Sequence, residues 1–240
     1  MDVSVSFMPV EFSQRDVTNA AVVVIDCFRA STSIVAALNS GAKAVYPLLH
    51  VEDARRAASE RQGAVLGGER HGARIAGFAL GNSPAEYCAQ AVGGREVVMT
   101  TTNGTRLLAA ASRAAEVYVG GFVNATVTAT ALVRSARDVV IAAAGTEGHF
   151  SIEDSLCAGF LVTLLGERVR LVERDSATFA RFAFASAGRN LRAAVENGRG
   201  ATNIKTLGLD ADIEVCLAID SMPIAARALQ DPLRVVRVDA

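Results

Sequence analysis

Val22-Val23-Val24-Ile25-Asp26-Cys27-Phe28-Arg29-Ala30-Ser31-Thr32-Ser33 reads as a strand that ends in a carboxylate, passes an arginine and opens a hydroxyl-rich helix. An apolar run without polar alternation suits a strand covered on both faces. The pattern recurs along the chain. Strand-like runs fall at 3–7, 22–26, 44–48, 64–67, 97–101, 117–120, 139–143, 169–172 and 235–238, with helix-like stretches at 31–39, 51–61, 84–90, 105–114, 125–137 and 152–165. Such alternation predicts an α/β sandwich around a largely parallel sheet. From about 176 to 228 the pattern turns helix-rich, broken at Gly198-Arg199-Gly200 and at Gly208. No repeat, low-complexity tract or linker divides residues 1–240, so a single compact domain is expected.

Composition narrows the function classes. The chain is 51% hydrophobic and 20% charged, which excludes a disordered polymer. Its net charge of −1 offers no basic field for nucleic acid or an acidic membrane. No apolar run is long enough to span a bilayer, and the first residues lack a basic n-region. A soluble, cytoplasmic protein is expected. Lys43 and Lys205 are the only lysines, and neither stands in the Gly-Lys-Ser/Thr setting of a nucleotide P-loop. Cys27, Cys88, Cys157 and Cys216 are far apart in sequence, which excludes a Cys-x-x-Cys zinc site and predicts reduced, mostly buried thiols. No Cys-x5-Arg phosphatase loop is present either.

Four constellations carry chemistry. At 26–33, Asp26 can hold a hard cation while the helix start and Arg29 favour an anion. Phe28 occupies the place where a haloacid-dehalogenase site needs its second aspartate, which excludes that mechanism. Gly67-Gly68-Glu69-Arg70-His71-Gly72 gives a charged turn with room for close backbone approach. Its Arg-His-Gly resembles a histidine-phosphatase tripeptide, but only His50 and His149 remain as a second histidine. Ser83-Pro84-Ala85-Glu86 has the spacing of a capping box, as does Ser151 to Asp154. Thr100-Thr101-Thr102-Asn103-Gly104-Thr105-Arg106 follows a strand and can form an anion-binding turn. Ala144-Gly145-Thr146 leads to Glu153 and Asp154, adjacent acids about 100° apart on a helix, so one of them is expected to face a site better than the other.

Taken in order, Asp26-x-x-Arg29-Ala30-Ser31-Thr32, Gly68–Gly72, Leu80–Pro84, Thr100–Thr105 and Ala144-Gly145-Thr146 through Glu153-Asp154 resemble the 2-phosphosulfolactate phosphatase (ComB-like) family. Leu207-Gly208, Asp212-Ile213, Asp220 and Pro223 fit its C-terminal pattern, so the resemblance spans about residues 2 to 238. It implies a three-layer α/β/α sandwich around a largely parallel (mixed) sheet. It also implies a Mg²⁺-dependent phosphoric monoester hydrolase that releases 3-sulfolactate and phosphate. Ser31 and Ser33 depart from the family's Arg-Ala-Thr-Thr-Thr, and His71 stands where asparagine is expected.

On this reading Asp26, Arg29 and Glu69 are the catalytic candidates. Asp26, Glu153 and Asp154 are the candidate Mg²⁺ ligands. Thr101, Thr102, Asn103, Gly104 and Thr105 would cradle phosphate, with Arg70 or Arg106 taking the sulfonate or carboxylate. The expected partner is a small anionic phosphorylated substrate, with no nucleic acid and no membrane, and a homodimer is left open. Two other readings stand beside it: a non-catalytic module binding a phosphorylated acid or nucleotide, and a metal-independent histidine phosphatase using His71. The loops around Asp26, Glu69, Thr102 and Glu153 are expected to converge in one cleft, because parallel strands put their C-terminal ends on one edge.

Overall fold

The computed structural model describes residues 1–188 and 190–239. Its strands are β1 Asp2–Ser6, β2 Ala21–Ile25, β3 Ala44–Pro47, β4 Val65–Arg70, β5 Ala73–Arg74, β6 Glu96–Thr100, β7 Glu116–Gly120, β8 Val139–Ala143, β9 Val172–Glu173, β10 Ala225–Leu229 and β11 Arg234–Val238. They form one mixed sheet in the order β5-β4-β6-β3-β11-β10-β7-β2-β8-β1-β9. Two blocks are parallel within themselves: β4-β6-β3 on one side and β7-β2-β8-β1-β9 on the other. The antiparallel hairpin β10–β11 joins them, pairing with β7 and with β3.

Three successive antiparallel pairings therefore separate β3 from β7, and the two blocks run in opposite senses. A flat sheet would place the ends of β2 and β6 on opposite edges. Twist changes this. Five pairings lie between β6 and β2, and at roughly −20 to −25° each they accumulate past a right angle, swinging the two strand directions back toward each other. The helices that follow these strands, Ala30–Asn39 and Gly104–Ala111, lie on one face of the sheet. They share an apolar cluster with Val22, Val24, Val45, Val97, Met99 and Val117, drawn from both blocks. Convergence was expected from parallel strand ends on one edge; the two blocks run in opposite senses instead, and the site forms where the helix starts at Ala30 and Gly104 come together.

The opposite face completes three layers. Helices Ala125–Arg134, Ile152–Gly166 and Asp175–Ala187 cover the β2 block, and helix Val51–Ser59 covers the β3 block. No described helix is long and apolar enough to cross a membrane.

Several local expectations are corrected. The strand expected at 169–172 is confined to Val172–Glu173, where the chain pairs with β1. The helix expected over 84–90 is a 3₁₀ turn, Pro84–Glu86, followed by a short helix, Ala89–Val92. The helix-rich segment contains helices Leu191–Val195, Arg199–Thr206 and Asp210–Leu217 but closes with β10. Ala-Ala-Arg-Ala-Leu has little β propensity, and pairing on both sides decides its conformation. Cys27, Cys157 and Cys216 are buried free thiols, whereas Cys88 is exposed.

Candidate active site

Register builds the β2 side of the site. Ile25 pairs with Gly120 of β7 and Ala143 of β8, so these three strands end level and Asp26 emerges beside the Gly145 loop. Asp154 locks this arrangement. Its Oδ1 accepts from the Cys27 amide at 2.8 Å and its Oδ2 from the Gly145 amide at 3.1 Å. On the β6 side, Gly68 pairs with Thr100, which sets Glu69 beside the following turn. Glu69 accepts from the amides of Gly72 and Thr102, each at 2.7 Å, and from the Thr102 hydroxyl at 3.1 Å.

The two sides meet at Asp26. Its Oδ1 accepts from Ala30 N at 3.3 Å, at the start of one helix. A Cβ placed on Gly104, at the start of the other, would lie 2.8 Å from Ala30 Cβ and 2.9 Å from Asp26 Oδ2. Glycine at 104 is what allows this approach. Helix N-termini carry partial positive charge, so Asp26 stands where two of them abut. Burial nevertheless dominates: the Asp26 carboxyl, 6% exposed, is pushed up to about 7 by desolvation, with the charges of Glu69 and Glu153 adding to the rise. The Ala30 and Gly104 amides act in the opposite direction.

Asp26, Phe28, Arg29, Glu69, Thr102 and Asn103 line one cleft with His71, Asn82, Thr146, Glu147, Gly200 and Asn203. Arg29 is buried, its Nη1 2.7 Å from Asp212 Oδ2 and its Nη2 donating to Gly72 O at 2.9 Å. Glu153 and Asp154, expected in the cleft, are not part of its lining: Glu153 is 1% exposed and sits against Gly200, which does line it, and a Cβ added there would strike Glu153 Oε1 at 2.1 Å. Its carboxyl is raised by burial, and its Oε2 has no hydrogen-bond partner. Asp154 is raised as well, by burial first and then by the charges of Glu153 and Asp26.

Other candidates lie elsewhere. Arg70 donates to the carbonyls of Glu69 and Leu49 and to Thr100 Oγ1, and its side chain is not part of the cleft lining. Arg106 is exposed and also outside the lining. Thr101 and Thr105 are buried and bonded to each other: Thr105 N donates to Thr101 Oγ1, and Thr105 Oγ1 to Thr101 O. They shape the turn from behind. Ser83 is not half of a capping box: its hydroxyl donates to Asp212 Oδ1 at 2.6 Å, while Glu86 accepts from Gly81 N. Ser151 does cap its helix, accepting from Asp154 N, but Asp154 does not reciprocate. His71 is the one histidine in the cleft lining, so the second histidine of a histidine-phosphatase site is not gathered there.

Asn82, Asp212, Asn203 and Gly200 were not singled out as functional from sequence. Asn82 lies within the quoted Leu80–Pro84 stretch, and its Oδ1 is buried without a partner. Asp212 belongs to the C-terminal pattern but gives no local sign that it reaches Arg29.

Fold and site define an α/β protein with an acid-rich, arginine-bearing cleft at two abutting helix N-termini, chemistry suited to a small anion. A family model described as 2-phosphosulpholactate phosphatase matches residues 6–229. The chain is 38% identical over 212 residues to a "Probable 2-phosphosulfolactate phosphatase" of Clostridium acetobutylicum, covering 88% of this chain and 90% of the relative. It is 32% identical over 225 residues to the protein so described in Clostridium tetani, covering 93% and 96%. A third, from Carboxydothermus hydrogenoformans, is 34% identical over 224 residues, covering 93% and 92%. The chain belongs to the 2-phosphosulpholactate phosphatase family, a family of phosphoric monoester hydrolases.

Proposed function

We propose that this chain is a Mg²⁺-dependent phosphatase that hydrolyses 2-phosphosulfolactate to 3-sulfolactate and inorganic phosphate. The observation that carries the reading is Asp26: a buried carboxyl pushed up to about 7, held between two helix starts on the wall of the cleft. Family membership supplies the substrate.

Two carboxyls fit the metal. Glu153 has an unpartnered buried oxygen, and Asp26 is raised in part by the charge of Glu153 itself. Among the described residues no three His, Cys, Asp or Glu side chains form a ready-made cage. Mg²⁺ keeps several waters and takes one or two carboxylates with substrate phosphate oxygens, so a pair of acids supplies enough protein donors. Held by Asp26 and Glu153, Mg²⁺ would neutralise charge on the phosphoryl oxygens. Asp154 is assigned to positioning, since both its oxygens already hold amides.

The chain's own groups supply the rest. Arg29 faces the transferring phosphoryl, where a guanidinium offsets charge that grows in the transition state. Asp26, at the two helix starts beside the metal position, orients the attacking water, whose proton passes on to the departing alkoxide. The water oxygen bonds to phosphorus as the ester P–O bond breaks, and the displaced alkoxide regains a proton to give sulfolactate. Asn82, Asn103, Asn203 and His71 line the remaining cleft and contact the sulfonate and carboxylate.

Phosphate release from 2-phosphosulfolactate tests this directly. Activity is expected with Mg²⁺, is lost in EDTA and returns when Mg²⁺ is restored. Full activity in chelator overturns the metal assignment. Saturable binding without release converts the reading to a binding module.

A further inference from the structure

We infer that Asp212 is a positioning residue, fixing the guanidinium of Arg29 in the orientation that meets the phosphoryl group. The inference rests on the proposed phosphatase reading and deepens it. Asp212 projects from helix Asp210–Leu217, remote in sequence from every strand-end motif. Its side chain is 5% exposed, and both oxygens are directed: Oδ2 accepts from Arg29 Nη1 at 2.7 Å, and Oδ1 from the Ser83 hydroxyl at 2.6 Å. Gly72 O takes Arg29 Nη2 at 2.9 Å. The guanidinium plane is thus held from two sides, by the C-terminal segment and by the loop after β4.

Arginine carries five N–H donors in a rigid fork. Two are committed here, and the others remain for a ligand in the cleft that Arg29 lines. A buried ion pair contributes little to stability once its desolvation is counted, so stability alone is a weak reason to keep one. Holding a charge in the right place before the reaction, by contrast, is a large source of catalytic rate. Ser83 fits that account. Its hydroxyl fixes the Asp212 carboxylate, making the chain Ser83–Asp212–Arg29–phosphoryl.

The test is a double-mutant cycle between Asp212→Asn and Arg29→Ala, read by kcat/KM with 2-phosphosulfolactate at saturating Mg²⁺. With Arg29 present, Asp212→Asn is expected to lower kcat/KM about thirtyfold, chiefly through kcat. In the Arg29→Ala background the same change should cost less than about threefold. Guanidinium ion should partly rescue Arg29→Ala but not Arg29→Ala/Asp212→Asn. Equal losses in both backgrounds, or no loss in either, overturn the inference and leave Asp212 as a packing contact. Should Asp212→Asn fail to fold, Ser83→Ala serves in its place. It keeps both charges, and a roughly fivefold loss that disappears without Arg29 supports the inference, whereas a loss that persists overturns it.

If the wild type releases no phosphate, the phosphatase reading fails and the pair is read by calorimetric titration with inorganic phosphate. Roughly tenfold weaker binding in Asp212→Asn, confined to the Arg29 background, supports the inference. Equal weakening in both backgrounds, or none, overturns it. A wild type that binds no phosphate removes Arg29 as an anion contact, and the inference with it.

Discussion

The carboxyls on the two sides of the cleft are in different states. On the β6 side, Glu69 is saturated: two amides and a hydroxyl converge on it. On the β2 side, Asp26 is buried and is pushed up to about 7 even against the Ala30 and Gly104 amides, and Glu153 leaves an oxygen unpartnered. A carboxylate with its donors in place is an anchor, and its energy lies in loop geometry. A buried carboxyl without enough donors is a strained group, kept because something else completes it. On the proposed mechanism the contrast makes Glu69 scaffold and gives the chemistry to Asp26 and Glu153, although Asp26 and Glu69 both stand at strand ends and Glu153 opens a helix.

The sharpest way to break this contrast is Asp26→Asn. The substitution keeps the shape and removes the charge, so kcat should fall by about a thousandfold or more, read by phosphate release at pH 7.5. Stability should move the other way. The folded-state carboxyl lies above its ordinary value of 3.8, so between about pH 4 and 7 the native state binds more protons than the unfolded state. Wild-type stability therefore falls as pH rises through that window. At pH 8 in EDTA the Asn variant should melt higher, by at least about 2–4 °C for each 1 kcal/mol recovered. An inactive variant that melts lower at pH 8 would mean Asp26 is a structural anchor like Glu69.

Glu69→Gln should have the opposite signature. A Gln side chain offers one acceptor oxygen where Glu69 serves three donors, leaving an amide of Gly72 or Thr102 unmet at a cost of about 1–3 kcal/mol. Melting should drop, and kcat/KM should fall roughly thirtyfold as the turn shifts. Because the charge of Glu69 raises Asp26, its removal lets the Asp26 carboxyl ionise at lower pH. The acid limb of the kcat/KM profile should move down in pH. A limb that stays put would show that the two acids do not sense each other.

Gly200→Ala probes Glu153 without touching an acid. Its new methyl would strike Glu153 Oε1 at 2.1 Å unless the helix or the carboxylate moves. The half-saturating Mg²⁺ concentration should rise about tenfold, with kcat at saturation within about threefold. An unchanged Mg²⁺ requirement would sever Glu153 from the metal.

Much of this contrast was legible before the fold was known. Asp26, Arg29, Thr102 and Asn103 stood out because each follows an apolar run and precedes a helix, and Glu69 because glycines flank its charged turn; those five line the cleft. What sequence could not supply was sense and reach. The reversal of the two blocks depends on β10, whose Ala-Ala-Arg-Ala-Leu carries no strand signal and becomes a strand only by pairing with β7 and β11. Arg70 and Arg106 have the right chemistry in the right motifs, but the direction of a long side chain is set by which carbonyls it meets, as Arg70 shows with Leu49 and Glu69. Asp212 was hidden for the same reason in reverse, since its partner lies 183 residues away.

The smallest effect is expected at His71, and it separates cleft lining from chemistry. His71 lines the cleft beside Gly72, yet its residue is exposed and its backbone is left-handed, with φ 53°. Asparagine tolerates that conformation better than histidine does, because its short side chain bonds locally to the backbone. His71→Asn should therefore keep kcat/KM within about tenfold and leave melting unchanged or slightly higher. A phosphohistidine mechanism requires the imidazole itself and predicts complete loss, together with activity that survives EDTA. The same pair of assays, run on wild type and His71→Asn with and without chelator, places the phosphoryl chemistry either at the strained carboxyls of the β2 side or at a histidine on the cleft wall.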